Sequence, residues 1–167
     1  TEAPTLSRLG ILDGANSVIQ QGKGLILVTG GRNRQAAIAA MVKQYNQNIS
    51  GHIISIENPI EYLHRDSRAC VSQREVGIDV LSVADGIEAA LYQDPDALAV
   101  SDVASTQDAE LVLRAAEEGL MVFAGIAAPD GGEAVRVFAR RFPSHREEEV
   151  ASRVAGVIAG VIHINAM

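Results

Sequence analysis

A single cysteine, Cys70, leaves no internal disulfide possible, and no group of cysteines and histidines has the spacing of a metal site. A reducing cytoplasm is the expected setting, and no metal is expected. Basic residues are in short supply: 14 Lys+Arg stand against 21 Asp+Glu, a net charge of -7. That balance leaves no basic face to neutralise a nucleic-acid backbone, so neither DNA nor RNA is an expected partner. Long apolar runs are also missing. Arg, Glu, Gln or His interrupts every candidate before the roughly 18 residues that span a bilayer, so no direct membrane insertion is expected. There is no internal repeat, low-complexity tract or linker, and the 167 residues read as one domain, 1–167. With 47% apolar and 21% charged residues the chain has the composition of a packed globule. It opens on Thr1, and residues 1–4 resemble neither a signal peptide nor a tag, so it reads as a piece excised from something longer.

Apolar runs of strand length alternate with segments of helical period. Gly24-Leu-Ile-Leu-Val-Thr29 is continuous and β-rich, as a strand buried on both faces should be, and Gly30 and Gly31 close it. Ile38, Met41, Val42 and Tyr45 then recur at helical spacing, which predicts a helix over 34–46. Further strands are expected at 52–57, stopped by Asn58-Pro59, in short form at 69–72, and at 97–101 and 120–126. Helices are expected at 82–93, ended by Asp94-Pro95-Asp96, and at 106–118 with Gly119 as C-cap. After a turn at 129–132, residues 133–141 and 146–163 read as two more helices, the second carrying Val150, Val154, Val157 and Val161. Strands separated by helices predict an α/β fold, a mostly parallel sheet with helices on both faces.

In such a sheet the first strand-turn-helix unit is the usual phosphate cradle. The frame G-x-x-x-x-G-K-[ST] lets backbone N–H groups wrap a phosphate, while Lys reaches the β/γ oxygens and the hydroxyl holds Mg²⁺. Here the frame is occupied by Gly30, Gly31, Arg32, Asn33, Arg34, Gln35, Ala36 and Ala37. Both the ammonium and the metal-binding hydroxyl are missing. Arg32 and Arg34 carry positive charge, but not at the position of a lysine held at the helix start.

Gly24-Leu-Ile-Leu-Val-Thr-Gly30, Ile56-Glu-Asn-Pro-Ile-Glu61, Gln73-Arg-Glu-Val76, Asp94-Pro-Asp96 and Arg141-Phe-Pro143 stand in an order and spacing that resemble the secretion ATPase family, which includes the type IV pilus retraction and type II secretion ATPases. The likeness runs over residues 5–163. It implies a RecA-like C-terminal ATPase domain of the P-loop NTPase fold, preceded in the family by a smaller PAS-like domain that this chain lacks, and assembled into hexameric rings. It also implies that the chain stops before the family's last helical segments.

The departures from that pattern fall on the chemistry. The family's G-P-T-G-S-G-K-[ST] has become the frame above. Its E-D-P-I-E box retains Glu57, Pro59 and Glu61 but holds Asn58 at the centre. Its Gly-Glu after the third core strand aligns with Ser101-Asp102, a carboxylate set back by roughly one bond length. Family arginines align with Glu88 and Tyr92, and a histidine box aligns with Gly125-Ile-Ala-Ala128. Phosphoryl transfer depends on positioning and charge, so these losses predict a pseudo-ATPase in which Glu57, Glu61 and Asp102 are vestigial. No catalytic residue and no cofactor is then expected. Its partners would be pilus or secretion ATPase subunits and inner-membrane platform proteins, at the inner face of the membrane. The alternatives are a weak ATPase that uses Arg32 or Arg34 with Asp102 and takes ATP and Mg, or a domain that binds nucleotide for regulation alone.

The remaining residues have quieter expectations. Arg32 and Arg34 read as a solvated loop ahead of an anion clamp, and Glu57 and Glu61 as strand-end residues held by backbone hydrogen bonds. Arg74 reads as an internal ion pair with Glu75 or Glu57, or as a donor to a neighbouring subunit. Cys70 reads as a small buried side chain. His52, His64, His145 and His163 form no constellation, and the Glu147-Glu-Glu149 run reads as a helix start.

Overall fold

The computed structural model describes residues 2–11 and 14–164. A short helix, α1 (Gly14–Gln21), leads into β1 (Gly24–Gly30), whose Leu25 to Val28 core is fully buried because both faces are covered. Helix α2 (Arg34–Asn48) follows, then β2 (His52–Glu57), β3 (Cys70–Glu75), α3 (Val83–Tyr92) and β4 (Ala97–Val100). The chain continues through α4 (Thr106–Glu117), β5 (Met121–Gly125), α5 (Ala134–Ala139), α6 (Glu147–Val157) and β6 (Ile158–Ile164).

Local chemistry explains several boundaries. Ser105 and Asp108 form a reciprocal capping box at the start of α4, and Ser82 accepts the Asp85 N–H at the start of α3. Gly119 closes the α4–β5 turn at φ +99°, a conformation that costs a residue bearing Cβ.

The six strands lie in the order β3-β2-β4-β5-β1-β6, every neighbouring pair parallel. One face carries α3, α4, α5 and α6 through Ile87, Leu111, Phe138 and Val150; the other carries α1 and α2 through Ile19, Met41 and Tyr45. The chain leaves β1 for β2 across two intervening strand positions, so the carboxyl ends of β1, β5, β4 and β2 line one rim of the sheet. Ligands of open α/β sheets bind at such a rim.

The expected alternation holds, with four differences. The predicted helix over 146–163 ends at Val157, and residues 158–164 form β6, parallel to β1 with Thr29 beside His163 and Gly30 beside Ile164. Val154, Val157 and Val161 suit a helical stripe, but the β-branched run around Ile158 and Val161 to Ile164 gains a ladder of hydrogen bonds along β1 that a helix would forgo. The predicted helix over 133–141 shortens to α5, led in by a 3₁₀ turn at Gly131–Glu133 capped by Asp130. Cys70, expected to be buried, is exposed, because β3 is an edge strand and Cys70 is its first residue. Helix α1 has no counterpart among the expected elements.

Candidate functional site

The frame that ought to cradle a phosphate holds one of its own side chains, that of Arg34, turned back onto its first residue. Gly30 ends β1 at φ +122°, where a Cβ would stand 2.1 Å from the Ile164 carbonyl oxygen, so only glycine lets β6 lie this close. The chain turns through Gly31, Arg32 and Asn33, and α2 already begins at Arg34, three residues before the frame ends at Ala37. The Arg34 N–H donates to the Gly31 carbonyl at 3.2 Å and the Ala37 N–H to that of Asn33 at 3.1 Å, so two amides of the loop are spent on the helix start.

Arg34 itself turns inward, contrary to the solvated-loop expectation, while Arg32 remains exposed. One guanidinium nitrogen, Nη1, donates to the Gly30 carbonyl at 2.7 Å, and Nη2 reaches Asp102 Oδ1 at 3.4 Å. The third, Nε, is buried and has no acceptor. Asp102 follows the buried Ser101 at the end of β4 and lies about half exposed, at 46% of its side chain. The cation of this loop therefore spans from the end of β1 to the end of β4.

The carboxylates are held by side chains, not by the backbone as expected. Ser55 Oγ donates to Glu57 Oε2 at 2.7 Å, and Gln73 Nε2 donates to the same oxygen at 3.0 Å. Burial pushes the Glu57 carboxyl above its ordinary value; the Gln73 and Ser55 hydrogen bonds oppose that, and the charges of Glu61 and Glu75 add to it. With its amide group turned toward Glu61, Gln35 donates to both carboxylate oxygens at 2.7 and 2.9 Å. The space between Gln35, Ser55, Glu57 and Ser101 is about 10 Å³, room for a single water at most.

Gln73 also donates to the Tyr62 carbonyl and accepts the His64 N–H, while Glu75 accepts the Ile60 N–H, so the 58–64 segment is pinned to β3. Burial, with the Lys43 charge, holds the His64 imidazole below its ordinary value. Of the two expectations for Arg74, the ion pair with Glu75 or Glu57 does not form; its guanidinium donates to Gln93 Oε1 at 2.7 Å.

Two residues join the site without a sequence signal. Thr29 is fully buried at the foot of the loop, and its Oγ1 stands 2.8 Å from Nδ1 of His163 on β6. The strand that brings His163 there is the one the helical spacing of valines concealed. Beside this pair an open groove of about 810 Å³ runs between α1 and β6, with Arg8, Leu9, Val18, Asn33 and Ile162 among its walls.

This loop lacks the lysine and the hydroxyl donors of the phosphate-binding frame. The positions for lysine and hydroxyl hold Ala36 and Ala37, and Arg34 already occupies the Gly30 carbonyl and Asp102. Among the described residues no three His, Cys, Asp or Glu side chains come together as a metal site. No described helix is long and apolar enough to cross a membrane.

The profile of the family described as "Type II/IV secretion system protein" matches residues 10–162. An Escherichia coli K12 protein, the uncharacterised YggR, is 33% identical over 164 residues, which cover 97% of this chain and 50% of YggR. The Pseudomonas aeruginosa type IV pilus ATPase PilU is 33% identical over 152 residues, 90% of this chain and 40% of PilU. The crystal structure of the pilus retraction motor PilT with bound ADP superposes with a TM-score of 0.92 at 36% identity, covering 98% of this chain and 48% of that one. The chain thus spans half or less of the length of these relatives. Sheet order, the superposition and the sequence match agree: the chain belongs to the type II/IV secretion system protein family of pilus and secretion ATPases, in the RecA-like P-loop fold.

Proposed function

We propose that this domain acts by protein contact within a pilus or secretion assembly and does not turn over ATP. The observation that carries this is the occupied cradle: Arg34 bridges the Gly30 carbonyl and Asp102 in a frame that has alanine at both phosphate-gripping positions. A phosphoryl-transfer site works by placing charge against the transferring group, and here the inward-facing cation, Arg34, is already engaged by the Gly30 carbonyl and Asp102. The retained frame supports contact with the subunits of a pilus or secretion ATPase, or with the inner-membrane platform on its cytoplasmic side. Titration calorimetry with Mg-ATP tests it: no heat of binding at high micromolar nucleotide is the expected result, and micromolar binding with phosphate release overturns it.

One observation favours a second reading. The buried Arg34 Nε has no acceptor, and a guanidinium with a free donor can take an oxyanion. On this reading the domain binds ATP or ADP weakly, Arg34 stands in for the missing lysine and Asp102 is the acid. Thermal stabilisation by ADP without phosphate release marks regulatory binding, and slow turnover abolished by Asp102→Ala marks a divergent ATPase.

A further inference from the structure

We propose that the start of α2 carries its own ligand: the side chains of Arg34 and Gln35 hold the rim of the sheet in one arrangement, as a bound cation and phosphate would. The proposal rests on the reading that the domain does not turn over ATP, and it says what replaces the nucleotide.

A phosphate-binding frame closes around what it binds. Lysine and hydroxyl draw the loop to the phosphates, and a metal ion joins the loop to a carboxylate at the end of a neighbouring strand. Ala36 and Ala37 can make no such link, but the two residues before them do. Arg34 places its guanidinium 2.7 Å from the Gly30 carbonyl at the end of β1 and 3.4 Å from Asp102 after β4. A tethered cation thus meets the strand-end carboxylate that a metal ion would otherwise meet. Gln35 stands where the frame has its second glycine, a residue with no side chain to reach across the rim. Its amide group donates to both carboxylate oxygens of Glu61, at 2.7 and 2.9 Å.

The far side of this staple is fixed. Gln73 on β3 donates to the Tyr62 carbonyl at 2.7 Å and accepts the His64 N–H at 2.9 Å, and Glu75 accepts the Ile60 N–H at 2.8 Å. Glu61 therefore belongs to a segment hung from β3, and Gln35 joins α2 to it. Two adjacent residues of one helical turn reach different strand ends, so the loop between β1 and α2 opens only if both contacts break. Each contact is partly exposed and weak alone, but both restrain the same short loop. A site that orders its loops on a ligand and releases them afterwards is a two-state element. This rim is held in one state by its own chain, and it offers a partner the same surface whether or not nucleotide is present.

Amide hydrogen exchange on the whole chain tests this. Arg34→Ala and Gln35→Ala should each speed exchange over residues 31–36, and the double variant should do so by roughly tenfold or more. Residues 58–64, pinned by β3, and helix α4 should keep their protection. Ethylguanidinium, the part of the side chain that Arg34→Ala deletes, should restore protection to that variant at millimolar concentration. Unchanged exchange over 31–36 in the double variant overturns the proposal. Loss that spreads equally to α4 and β5 marks a general weakening of the fold and overturns it too, as does a failure of ethylguanidinium to restore protection. Micromolar binding of Mg-ATP to the wild type overturns the reading beneath the proposal and the proposal with it, whereas the exchange results overturn the proposal alone.

Discussion

Arg34 and Asp102, 68 residues apart in sequence, meet at 3.4 Å across the rim of the sheet, and the same guanidinium holds the Gly30 carbonyl at 2.7 Å. The two contacts differ in weight. The shorter bond links a largely buried cation to a loop carbonyl, whereas Asp102 is half exposed and its pair is long. Arg34→Ala should therefore cost about 1–2 kcal/mol, a fall in Tm of roughly 3–6 °C for a chain of this size. Asp102→Asn should cost less than about 0.5 kcal/mol. Faster amide exchange through residues 31–36 in Arg34→Ala alone would confirm that the arginine, and not the ion pair, closes the loop.

If the cradle is shut by Arg34, restoring the missing phosphate ligands should not suffice to open it. The double variant A36K/A37T is expected to bind Mg-ATP weakly, since Arg34 still occupies the loop carbonyl and Asp102. Adding Arg34→Gly should raise the affinity by at least tenfold, about 1.4 kcal/mol. Calorimetric titration of the two variants side by side makes the comparison, and equal affinities would show that Arg34 does not compete for the site.

Gly30 has a separate role, in letting β6 approach β1. A Cβ there would meet the Ile164 carbonyl oxygen at 2.1 Å, on a backbone already at φ +122°. Neither partner is a flexible side chain, so the strands must separate or the turn must change. Gly30→Ala should destabilise by about 3 kcal/mol, near 10 °C in Tm, measured by thermal unfolding.

The repeating strand-helix order and the core strands were legible because their signals are local: the apolar run in β1, the Pro stop after β2, the glycine that closes the turn after α4. The site was legible only as absences. Ala36 and Ala37 can be read from the frame itself, but the inward turn of Arg34 onto the Gly30 carbonyl, with Asp102 of β4's end beside it, belongs to an arrangement of strands that only the fold supplies. In the same way β6 was hidden, because valines at 150, 154, 157 and 161 satisfy a helical stripe and what selects the strand is its partner β1. The exposure of Cys70 likewise follows from strand order, which no residue near Cys70 announces.

Glu57 should carry a pH signature. Its carboxyl sits above its ordinary value, chiefly through burial, so the folded state holds the proton more tightly than the unfolded one. Stability from this group is therefore full below the unfolded carboxyl value and is lost as pH rises from there through the higher folded value. Glu57→Gln removes the charge and keeps an oxygen that can accept from Ser55 and Gln73. The variant should match wild type at low pH and exceed it by a degree or two in Tm, roughly, at pH 7. Equal Tm at both pH values would mean that burial does not penalise this carboxylate.

Thr29 and His163 test the last strand. Thr29 is fully buried, and its hydroxyl and the His163 ring nitrogen, 2.8 Å apart, are the side-chain link between the foot of the loop and β6. Thr29→Val keeps the shape and β-propensity of the residue but leaves the ring nitrogen without its partner, at a cost of about 1 kcal/mol. His163→Ala should cost a similar amount, and the double variant should cost less than the sum of the two, since the second change removes a group already unpaired. Had residues 158–164 continued α6 as a helix, the two side chains would not meet, and the two losses would simply add.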